Sequence, residues 1–265
     1  MAQSEKKYAL VTGATSGIGH ELAKVFAQNG YNLITVARLS AELQTVSQQI
    51  SSQYGVEVIP VGKDLFNPEA ATEVYEEVKA RGIEVNVLVN DAGQGVYGTF
   101  TETDLQKQLQ IIQLNVVSLT ALTYHFLKDM VARNEGKILQ LGSVVSQLPA
   151  PLQSVYGGTK AYILKFTEAL ISELEDTDVT LTVLQPGVTD TDFFNKAGAQ
   201  NSKLAEDKSS MADPADVAKD AYEALMKGKD KVVSGIKNKV QVAMSNVMPD
   251  TLLAEQMKKQ SEEAK

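Results

Sequence analysis

The chain has 265 residues, of which 43% are hydrophobic and 22% are charged, a composition typical of a globular protein with a buried core. The formal net charge of −8 argues against nucleic acid and anionic lipid as partners. The absence of cysteine excludes a disulfide scaffold, a thiol nucleophile and a zinc–thiolate site. With only two histidines, His20 and His125, a histidine-rich metal site is also disfavoured.

The chain start lacks the long apolar segment of a secretory signal. No stretch reaches the roughly 18 apolar residues that a membrane-spanning helix requires. We therefore expect a cytoplasmic protein with no membrane span.

Short apolar runs alternate with longer amphipathic segments along the chain. The runs predict strands at residues 8–11, 33–36, 56–61, 85–89, 137–141, 179–184 and 232–233. The amphipathic segments predict the intervening helices. Their start and stop signals are the stop pair Asn29-Gly30, the cap Ser40, Pro68, a segment similar to a capping box at 101–104, and Asp213-Pro214.

This alternation predicts an α/β fold in a single domain over residues 1–265. We expect a Rossmann-type, doubly wound parallel sheet of about seven strands with helices on both faces. Residues 190–212 are polar and irregular and predict a substrate loop. Residues 249–265 predict a C-terminal helical tail that frays or packs on the body, in preference to a partner-binding role.

A glycine-rich turn follows the first predicted strand and opens the first predicted helix. Its residues are Gly13, Ala14, Thr15, Ser16, Gly17, Ile18 and Gly19. Glycines let the backbone approach a pyrophosphate, and the helix N-terminus supplies free N–H groups and a positive dipole. The strand–turn–helix setting favours nucleotide binding over a plain tight turn.

The end of the second predicted strand reads Val36-Ala37-Arg38. An acidic residue there would bind the ribose 2′-hydroxyl of NAD, whereas arginine suits the 2′-phosphate of NADP. Because the acid is missing and a guanidinium follows, the sequence favours NADP(H). The alternative is a solvated surface arginine.

Tyr156 and Lys160 are four residues apart, a spacing that places both on one face of a helix. A lysine cation beside a phenol lowers its pKa and makes it a usable acid/base. Ser143 could then hold the oxygen that Tyr156 protonates. Taken alone, this spacing also arises by chance on solvated helices.

Several short motifs occur together in one order. They are the segment Thr12 to Gly19, Asp64-Leu65, Asn90-Asp91-Ala92-Gly93, Asn115, Ser143, Tyr156-x-x-x-Lys160 and Pro186-Gly187. In this order they resemble the short-chain dehydrogenase/reductase family, in its NADP-preferring type, over residues 6–235. The segment Gln94 to Phe100 is similar to a bacterial branch of that family whose substrates are uncertain.

The resemblance implies a role for each matching residue. Asn115, Ser143, Tyr156 and Lys160 would be catalytic: Tyr156 as acid/base, Ser143 as donor to the substrate oxygen, Lys160 on the nicotinamide ribose, and Asn115 in a proton relay. The cofactor would be held by Gly13, Thr15, Ser16, Gly17, Ile18, Gly19, Arg38, Asp64, Leu65, Asn90, Ala92, Gly93, Tyr156, Lys160, Pro186, Gly187, Val188, Thr189 and Thr191.

Two positions depart from the family pattern. Asp91 stands where a second asparagine is usual, at a position that the resemblance assigns mainly to sheet support. Gly142-Ser143 replaces a serine pair but keeps the catalytic hydroxyl.

The substrate pocket is predicted from residues near this centre. Its candidates are Gln94, Ser143, Val145, Leu148, Val188, Phe193 and Phe194, with Gln147 and Gln153 as further polar contacts. An apolar pocket with a few amides suits a hydrophobic or mixed small-molecule carbonyl compound. Lys196 and Lys203 are expected to be solvated.

The sequence thus favours an NADPH-dependent carbonyl reductase, or alcohol dehydrogenase in reverse. One alternative is a non-catalytic NADP(H)-binding sensor or scaffold, and another is a reductase of a 3-oxoacyl thioester. The family resemblance implies a homodimer or homotetramer formed through the helices at 102–134 and 154–175.

Overall fold

The computed structural model describes residues 6–38, 40–206, 211–245 and 248–262. Seven strands of this described part form one parallel sheet in the order β3-β2-β1-β4-β5-β6-β7. The strands are β1 (Tyr8–Thr12), β2 (Asn32–Ala37), β3 (Val58–Gly62), β4 (Val85–Asn90), β5 (Gly136–Leu141), β6 (Val179–Gln185) and β7 (Lys231–Val233). The predicted Rossmann-type fold is confirmed.

Helices connect the strands and cover both faces of the sheet. They are α1 (Gly17–Gln28), α2 (Ala41–Tyr54), α3 (Ala70–Ala80), α4 (Leu105–Ile112), α5 (Leu119–Arg133), α6 (Ser154–Glu173), α7 (Phe193–Ala197), α8 (Lys203–Glu206), α9 (Pro214–Met226), α10 (Ile236–Ser245) and α11 (Asp250–Ser261). A π-helical segment, Gln113–Ser118, joins α4 to α5.

The sheet is buried on both faces because alternate residues of each strand enter separate cores. Leu10 of β1 packs in one core with Phe126 of α5. Its neighbour Val11 packs in the other core with Phe26 of α1 and Leu225 of α9. Both faces of β1 therefore need apolar residues, which explains its continuous apolar run.

The chain reverses its direction of winding between β1 and β4. β1 pairs with β2 on one side and with β4 on the other, so the loops that follow β1 and β4 diverge to opposite faces. A crevice forms at the carboxyl ends of the strands at such a point, and this is where ligands bind in open α/β sheets.

The predicted helix caps have mixed outcomes. Ser40 Oγ accepts a hydrogen bond from Leu43 N at 3.2 Å, and Asp213 Oδ1 accepts one from Ala215 N at 2.8 Å, as expected. The capping box at 101–104 is wrong, because Asp104 itself is the cap and its Oδ1 accepts from Gln106 N at 2.8 Å. α4 therefore starts at Leu105.

The predicted loop at 190–212 contains two short helices, α7 and α8, and its residues 207–210 lie outside the described part. The helical tail exists as α11, and residues 263–265 lie outside the description. Leu253 and Met257 of α11 are buried against Val144 and Val242. The tail thus packs on the body, and it does so together with α10, a helix that the sequence pattern did not predict.

Within the described ranges, none of the helices combines the length and the apolar character needed to cross a bilayer.

Two adjacent glycines on α6 give a matched test of how closely this helix packs against the preceding loop at Ala150. A methyl group at residue 157 would lie 2.7 Å from Ala150 Cβ, whereas nothing lies within 4 Å of one at residue 158. We expect Gly157→Ala to lower the free energy of unfolding by about 1–3 kcal/mol through overpacking. Gly158→Ala should raise it by about 0.5–1 kcal/mol through helix propensity. Urea denaturation of both variants measures this difference, and equal effects would contradict the packing.

Candidate active site

A cavity of about 920 Å³ opens at the carboxyl edge of the sheet. Its wall is formed by the turn after β1, the ends of β2 and β3, the loops after β4, β5 and β6, and helices α6, α7, α10 and α11. This volume is at the upper end of the range typical of ligand pockets, about 300–1,000 Å³. An elongated ligand therefore fits this site better than a compact one.

The glycine turn forms one side of the cavity. Gly13 and Gly17 have φ angles of +74° and +60°, which L side chains rarely adopt. Ser16 is the N-cap of α1, but its side chain makes no capping hydrogen bond. The first N–H groups of α1 therefore face the cavity, and this end of the helix is suited to an anionic group.

The next section of the wall lies beyond the ends of β2 and β3. Arg38 is exposed and lines the cavity close to Ser40 and Lys63. Asp64 is also exposed, and its Oδ1 accepts a hydrogen bond from Phe66 N at 3.1 Å.

This end of the cavity is lined by two cations, Arg38 and Lys63, and also by Glu42. Lys63 Nζ pairs with Glu73 Oε2 at 2.7 Å. An exposed guanidinium such as that of Arg38 suits a phosphate-bearing ligand.

Tyr156 and Ser143 meet on the opposite side. The Ser143 hydroxyl is close enough to the Tyr156 phenol to lower its pKa, and both residues line the cavity. Ser143 is fixed by its backbone, because its N–H donates to Ser146 Oγ at 3.1 Å. Val144 N donates to Pro186 O at 3.0 Å, which holds this turn on the β6 loop.

The pKa of Tyr156 differs from the sequence expectation. Burial raises the pKa of Tyr156 to about 12, and the Ser143 hydroxyl opposes this only in part. The predicted lowering by Lys160 is therefore wrong for the chain without ligand. Lys160 Nζ lies 5.6 Å from the Tyr156 ring centroid and donates to Leu141 O at 2.6 Å, so it does not bond the phenol oxygen.

Lys160 is itself perturbed by burial, with only 3% of its surface exposed. Burial lowers the pKa of Lys160 to about 8, and Asp91 partly opposes this shift. At neutral pH the site therefore holds a protonated phenol beside a lysine cation that is easily neutralised.

Asn115 lies behind the cavity in the π-helical segment, a distortion that often marks functional sites. Its Nδ2 donates to Gln94 O at 2.9 Å and to Thr159 Oγ1 at 3.0 Å, and its Oδ1 accepts from Gln94 N at 3.0 Å. Asn115 thus joins the β4 loop to α6, one residue before Lys160.

Comparison with known proteins agrees with this geometry. Residues 7–202 match the family described as short chain dehydrogenase. The chain belongs to the short-chain dehydrogenase/reductase family. It is therefore a member of a family of oxidoreductases.

Two curated relatives illustrate the similarity. The chain is 31% identical over 242 residues to the dehydrogenase/reductase SDR family member 7B of Danio rerio, covering 88% of this chain and 78% of that protein. It is 35% identical over 191 residues to a very-long-chain 3-oxoacyl-CoA reductase of Pyrenophora tritici-repentis, covering 69% of this chain. The chain spans only 55% of that second relative's length.

Two solved structures share the fold closely. A 7beta-hydroxysteroid dehydrogenase structure superposes with a TM-score of 0.84 at 26% identity, covering 95% of this chain and 96% of the other. A short-chain dehydrogenase from Sphingobium yanoikuyae in complex with NADPH gives a TM-score of 0.79 at 25% identity, covering 92% and 96%.

Most of the residues that the family pattern assigns lie on the cavity wall. The predicted cofactor and substrate residues found there are Gly13, Thr15, Ser16, Gly17, Ile18, Arg38, Asp64, Leu65, Ala92, Gly93, Gln94, Ser143, Val145, Gln153, Tyr156, Pro186, Gly187, Val188, Thr189, Thr191, Phe193 and Phe194. Asn115 and Lys160 lie directly behind the wall.

Besides Asn115 and Lys160, four predicted residues do not line the cavity. Asn90 is buried, and its Nδ2 donates to Thr123 Oγ1 and Gln140 Oε1 at 3.1 and 3.0 Å. Gly19 faces Asp91. Leu148 is buried in the core beneath α11, and Gln147 Nε2 bonds Gln185 Oε1 at 3.1 Å. For Asn90, Leu148 and Gln147 a nearby packing or hydrogen-bond partner holds the side chain away from the cavity.

The sequence missed one whole side of the cavity. Asn238 and Gln241 of α10 line it, as do Met257 and Gln260 of α11. These residue types carry no motif, so only the long-range packing of the tail reveals them. Lys196, which was expected to be solvated, also lines the cavity, and its Nζ lies 3.4 Å from Ser16 Oγ.

The three hydrogen bonds of Asn115 predict its importance for stability. Asn115→Ala removes the partners of the half-buried Gln94 backbone groups, and a polar group left unpaired on burial costs about 1–3 kcal/mol. We expect the free energy of unfolding to fall by about 2 kcal/mol or more in urea denaturation. Gln110→Ala, at an exposed position on α4, is the control and should stay within about 0.5 kcal/mol of the wild type. A similar small effect for Asn115→Ala would contradict the described contacts.

Proposed function

We propose that this dehydrogenase is an NADPH-dependent carbonyl reductase that acts as an alcohol dehydrogenase in reverse. The observation that carries the proposal is the pairing of Tyr156 with Ser143, whose hydroxyl acts on the phenol. This pair lies in the wall of the same cavity as the open N-terminus of α1. A proton donor and an anion-binding turn on one cavity are what hydride transfer from a dinucleotide requires.

The wall offers a fitting group for each part of NADP(H). The N-terminus of α1 at Ser16 and Gly17 would hold the pyrophosphate. Arg38 would bind the 2′-phosphate, since no acid stands at the end of β2 to repel it. Asp64 and Leu65 would hold the adenine, and residues 186–191 the nicotinamide amide. The bound cofactor would supply the hydride that reduces the carbonyl carbon.

The protein side chains handle the oxygen of the substrate. Ser143 would donate a hydrogen bond to the carbonyl oxygen and stabilise the negative charge that develops there. Tyr156 would transfer its phenolic proton to that oxygen as the C–O double bond is reduced. Lys160 would hold the nicotinamide ribose and, with Asn115, return a proton to Tyr156.

The protonation state of Tyr156 sets the pH dependence of the two directions. With its pKa raised to about 12, Tyr156 is protonated at neutral pH and ready to donate in reduction. Alcohol oxidation needs the phenolate as proton acceptor, and the phenolate fraction grows tenfold per pH unit below the pKa. The proposal therefore requires oxidation to accelerate with rising pH, whereas reduction does not need an alkaline medium.

The substrate end of the cavity favours an uncharged, largely apolar ketone. Phe193, Phe194 and Met257 give it apolar surface, while Gln241 and Gln260 offer neutral polar contacts. The rings of Tyr156 and Phe193 are 5.1 Å apart, so a flat or alicyclic body would pack beside the reacting centre. The steroid-dehydrogenase fold match is consistent with such a body.

A 3-oxoacyl thioester is the second candidate substrate, because one curated relative is a very-long-chain 3-oxoacyl-CoA reductase. A coenzyme A tail would need cations at the substrate end. In the described part of the wall, the side chains that α10 and α11 contribute are neutral. Assaying a 3-oxoacyl thioester beside alicyclic and aromatic ketones separates the two substrate classes.

We also propose that the chain forms a homodimer or homotetramer. Large apolar side chains remain exposed on α4, the π-helical segment, α5 and α6. They are Leu105, Leu109, Ile112, Val117, Tyr124, Val131 and Tyr162. Such a surface favours association with a second copy.

Replacing the proposed acid/base tests the reaction directly. Tyr156→Phe removes the transferable proton but keeps the ring, so turnover of ketones with NADPH should fall at least about 1,000-fold while NADPH still binds. Tyr162→Phe on the same helix removes a hydroxyl that bonds Thr120 and serves as the control with near-normal turnover. Wild-type turnover in Tyr156→Phe would refute the mechanism. NADPH binding without turnover of any carbonyl by the wild type would indicate a sensor.

The cofactor preference depends on Arg38. Arg38→Ala removes a charge-assisted contact to the 2′-phosphate, so the NADPH dissociation constant should rise about 10–100-fold while that of NADH changes about twofold or less. Fluorescence titration of both cofactors measures this. Arg81→Ala, which removes an exposed arginine paired with Glu77, is the control for net charge. Equal losses for NADPH and NADH would eliminate the 2′-phosphate contact.

A further inference from the structure

A buried carboxylate lies between the glycine turn and Lys160. Asp91 follows β4 and is only 8% exposed. Its Oδ1 has no hydrogen-bond partner in the described structure. The family pattern has a neutral asparagine here, so this chain has buried a charge where an uncharged amide is usual. A buried acid that is incompletely paired is costly and calls for a specific role.

The carboxylate is fixed against the glycine turn. The Asp91 carboxylate lies against the backbone of Gly19, which lowers the pKa of Asp91. A methyl group at Gly13 would lie 2.9 Å from Asp91 Oδ2, and one at Gly19 would be closer still. Asp91 N donates to Thr12 Oγ1 at 3.0 Å, which fixes the backbone of Asp91 on β1. Asp91 therefore supports the turn itself, and not mainly the sheet as the family pattern implied.

The same carboxylate acts on Lys160. The Asp91 charge raises the pKa of Lys160 against the lowering effect of burial, and the Lys160 charge lowers the pKa of Asp91 in return. In the described part of the chain no ion pair within 4.0 Å involves Lys160. Asp91 and Lys160 nevertheless lie close together, because a methyl group at Gly93 would be 3.5 Å from Lys160 Nζ and 3.7 Å from Asp91 O. At low dielectric such a separation still gives a strong interaction.

Other charged groups on the surrounding helices do not take this role. Glu21 and Lys24 of α1 pair with each other at 2.7 Å, and the His20 ring lies 3.3 Å from Ala14 O. The Tyr156 phenol of α6 is placed beside the Ser143 hydroxyl. Lys160 is the charge that acts on Asp91, and Asp91 is the charge that acts on Lys160.

We propose that Asp91 is a positioning residue whose carboxylate connects the cofactor-binding turn to Lys160. The carboxylate holds Gly19 in place, and its negative charge favours the protonated form of the Lys160 ammonium that donates to Leu141 O. The effect of Asp91 on catalysis rests on the proposed function. An asparagine would keep an acceptor for Gly19 N but would lose the charge. The negative charge of aspartate therefore acts on the protonation of Lys160, whereas the shape of the turn needs only the acceptor oxygen.

The test uses Asp91→Asn, which keeps the size of the side chain and an acceptor oxygen. NMR titration of lysine side chains in the unliganded protein, with Lys160 assigned through Lys160→Met, gives the pKa of Lys160 directly. We expect that pKa to fall by about one unit in Asp91→Asn, because the supporting charge is gone. In ketone reduction by NADPH, the alkaline limb of kcat/KM should move to lower pH by a similar amount.

Thr12→Val is the matched control, since it removes the hydrogen bond to Asp91 N but keeps the carboxylate. It should lower the thermal stability and leave the pKa of Lys160 within about 0.3 units of the wild-type value. An unchanged pKa of Lys160 in Asp91→Asn overturns the proposal, and so does a shifted pKa with an unmoved kinetic limb. If no carbonyl is turned over, the NMR result still decides whether the two charges are coupled.

A wild-type measurement covers the case in which Asp91→Asn does not fold. Burial raises the pKa of Asp91 to about 7, so Asp91 is neutral below that pH and charged above it. The Lys160 side-chain signal of the wild type should therefore show two titration steps, one near pH 7 from Asp91 and one from Lys160 itself. A single step would overturn the coupling.

Discussion

The hydrogen bond from Lys160 Nζ to Leu141 O, 2.6 Å long, holds the reacting helix on the sheet. It spans from α6 to the last residue of β5, so the end of a strand in the middle of the sheet sets the position of Tyr156. Ser143 follows two residues after Leu141 and meets the phenol from the same strand. The acid, the hydrogen-bond donor and the cation are thus all positioned by one strand end, which leaves little freedom for misalignment.

Burial of this centre has a physical consequence for its protons. Removing a phenol and an ammonium from water favours the neutral form of each, so the pKa of Tyr156 rises and that of Lys160 falls. The two pKa values therefore move apart, to about 12 for Tyr156 and about 8 for Lys160. In the proposed reaction, a proton donor that holds its proton at neutral pH then lies near a lysine that can exchange one.

Local patterns predicted the sheet and the residues Ser143 and Tyr156 that meet on the cavity wall. Apolar runs such as that of β1 are visible because both faces of each strand are buried, and the spacing of Tyr156 and Lys160 follows from helix geometry alone. Other features depended on distant contacts. The packing of α11 against Val144 brings Met257 to the cavity, and the sign of the Tyr156 shift depends on a burial that no pattern encodes. The motif does not show which way the Asp91 side chain points, and so the family resemblance assigned Asp91 mainly to support of the sheet.

The two sides of the cavity are formed by different parts of the fold. Strand ends and the turn after β1 form the side of the cavity that the proposed function assigns to the cofactor and to proton transfer, whereas α7, α10 and α11 form the opposite side. The latter segments pack on the sheet edge without contributing to its core. They can therefore vary in sequence without disturbing the reacting centre, and we infer that they select the substrate.

The most direct measurement follows the hydrogen that the reaction transfers. The wild-type protein would be incubated with NADPH carrying two deuterium atoms at the nicotinamide C4 and with an alicyclic ketone, and the alcohol product would be analysed by mass spectrometry. The account predicts one deuterium on the carbinol carbon of each product molecule, with the hydroxyl proton coming from solvent. An alcohol product without deuterium on that carbon would contradict it.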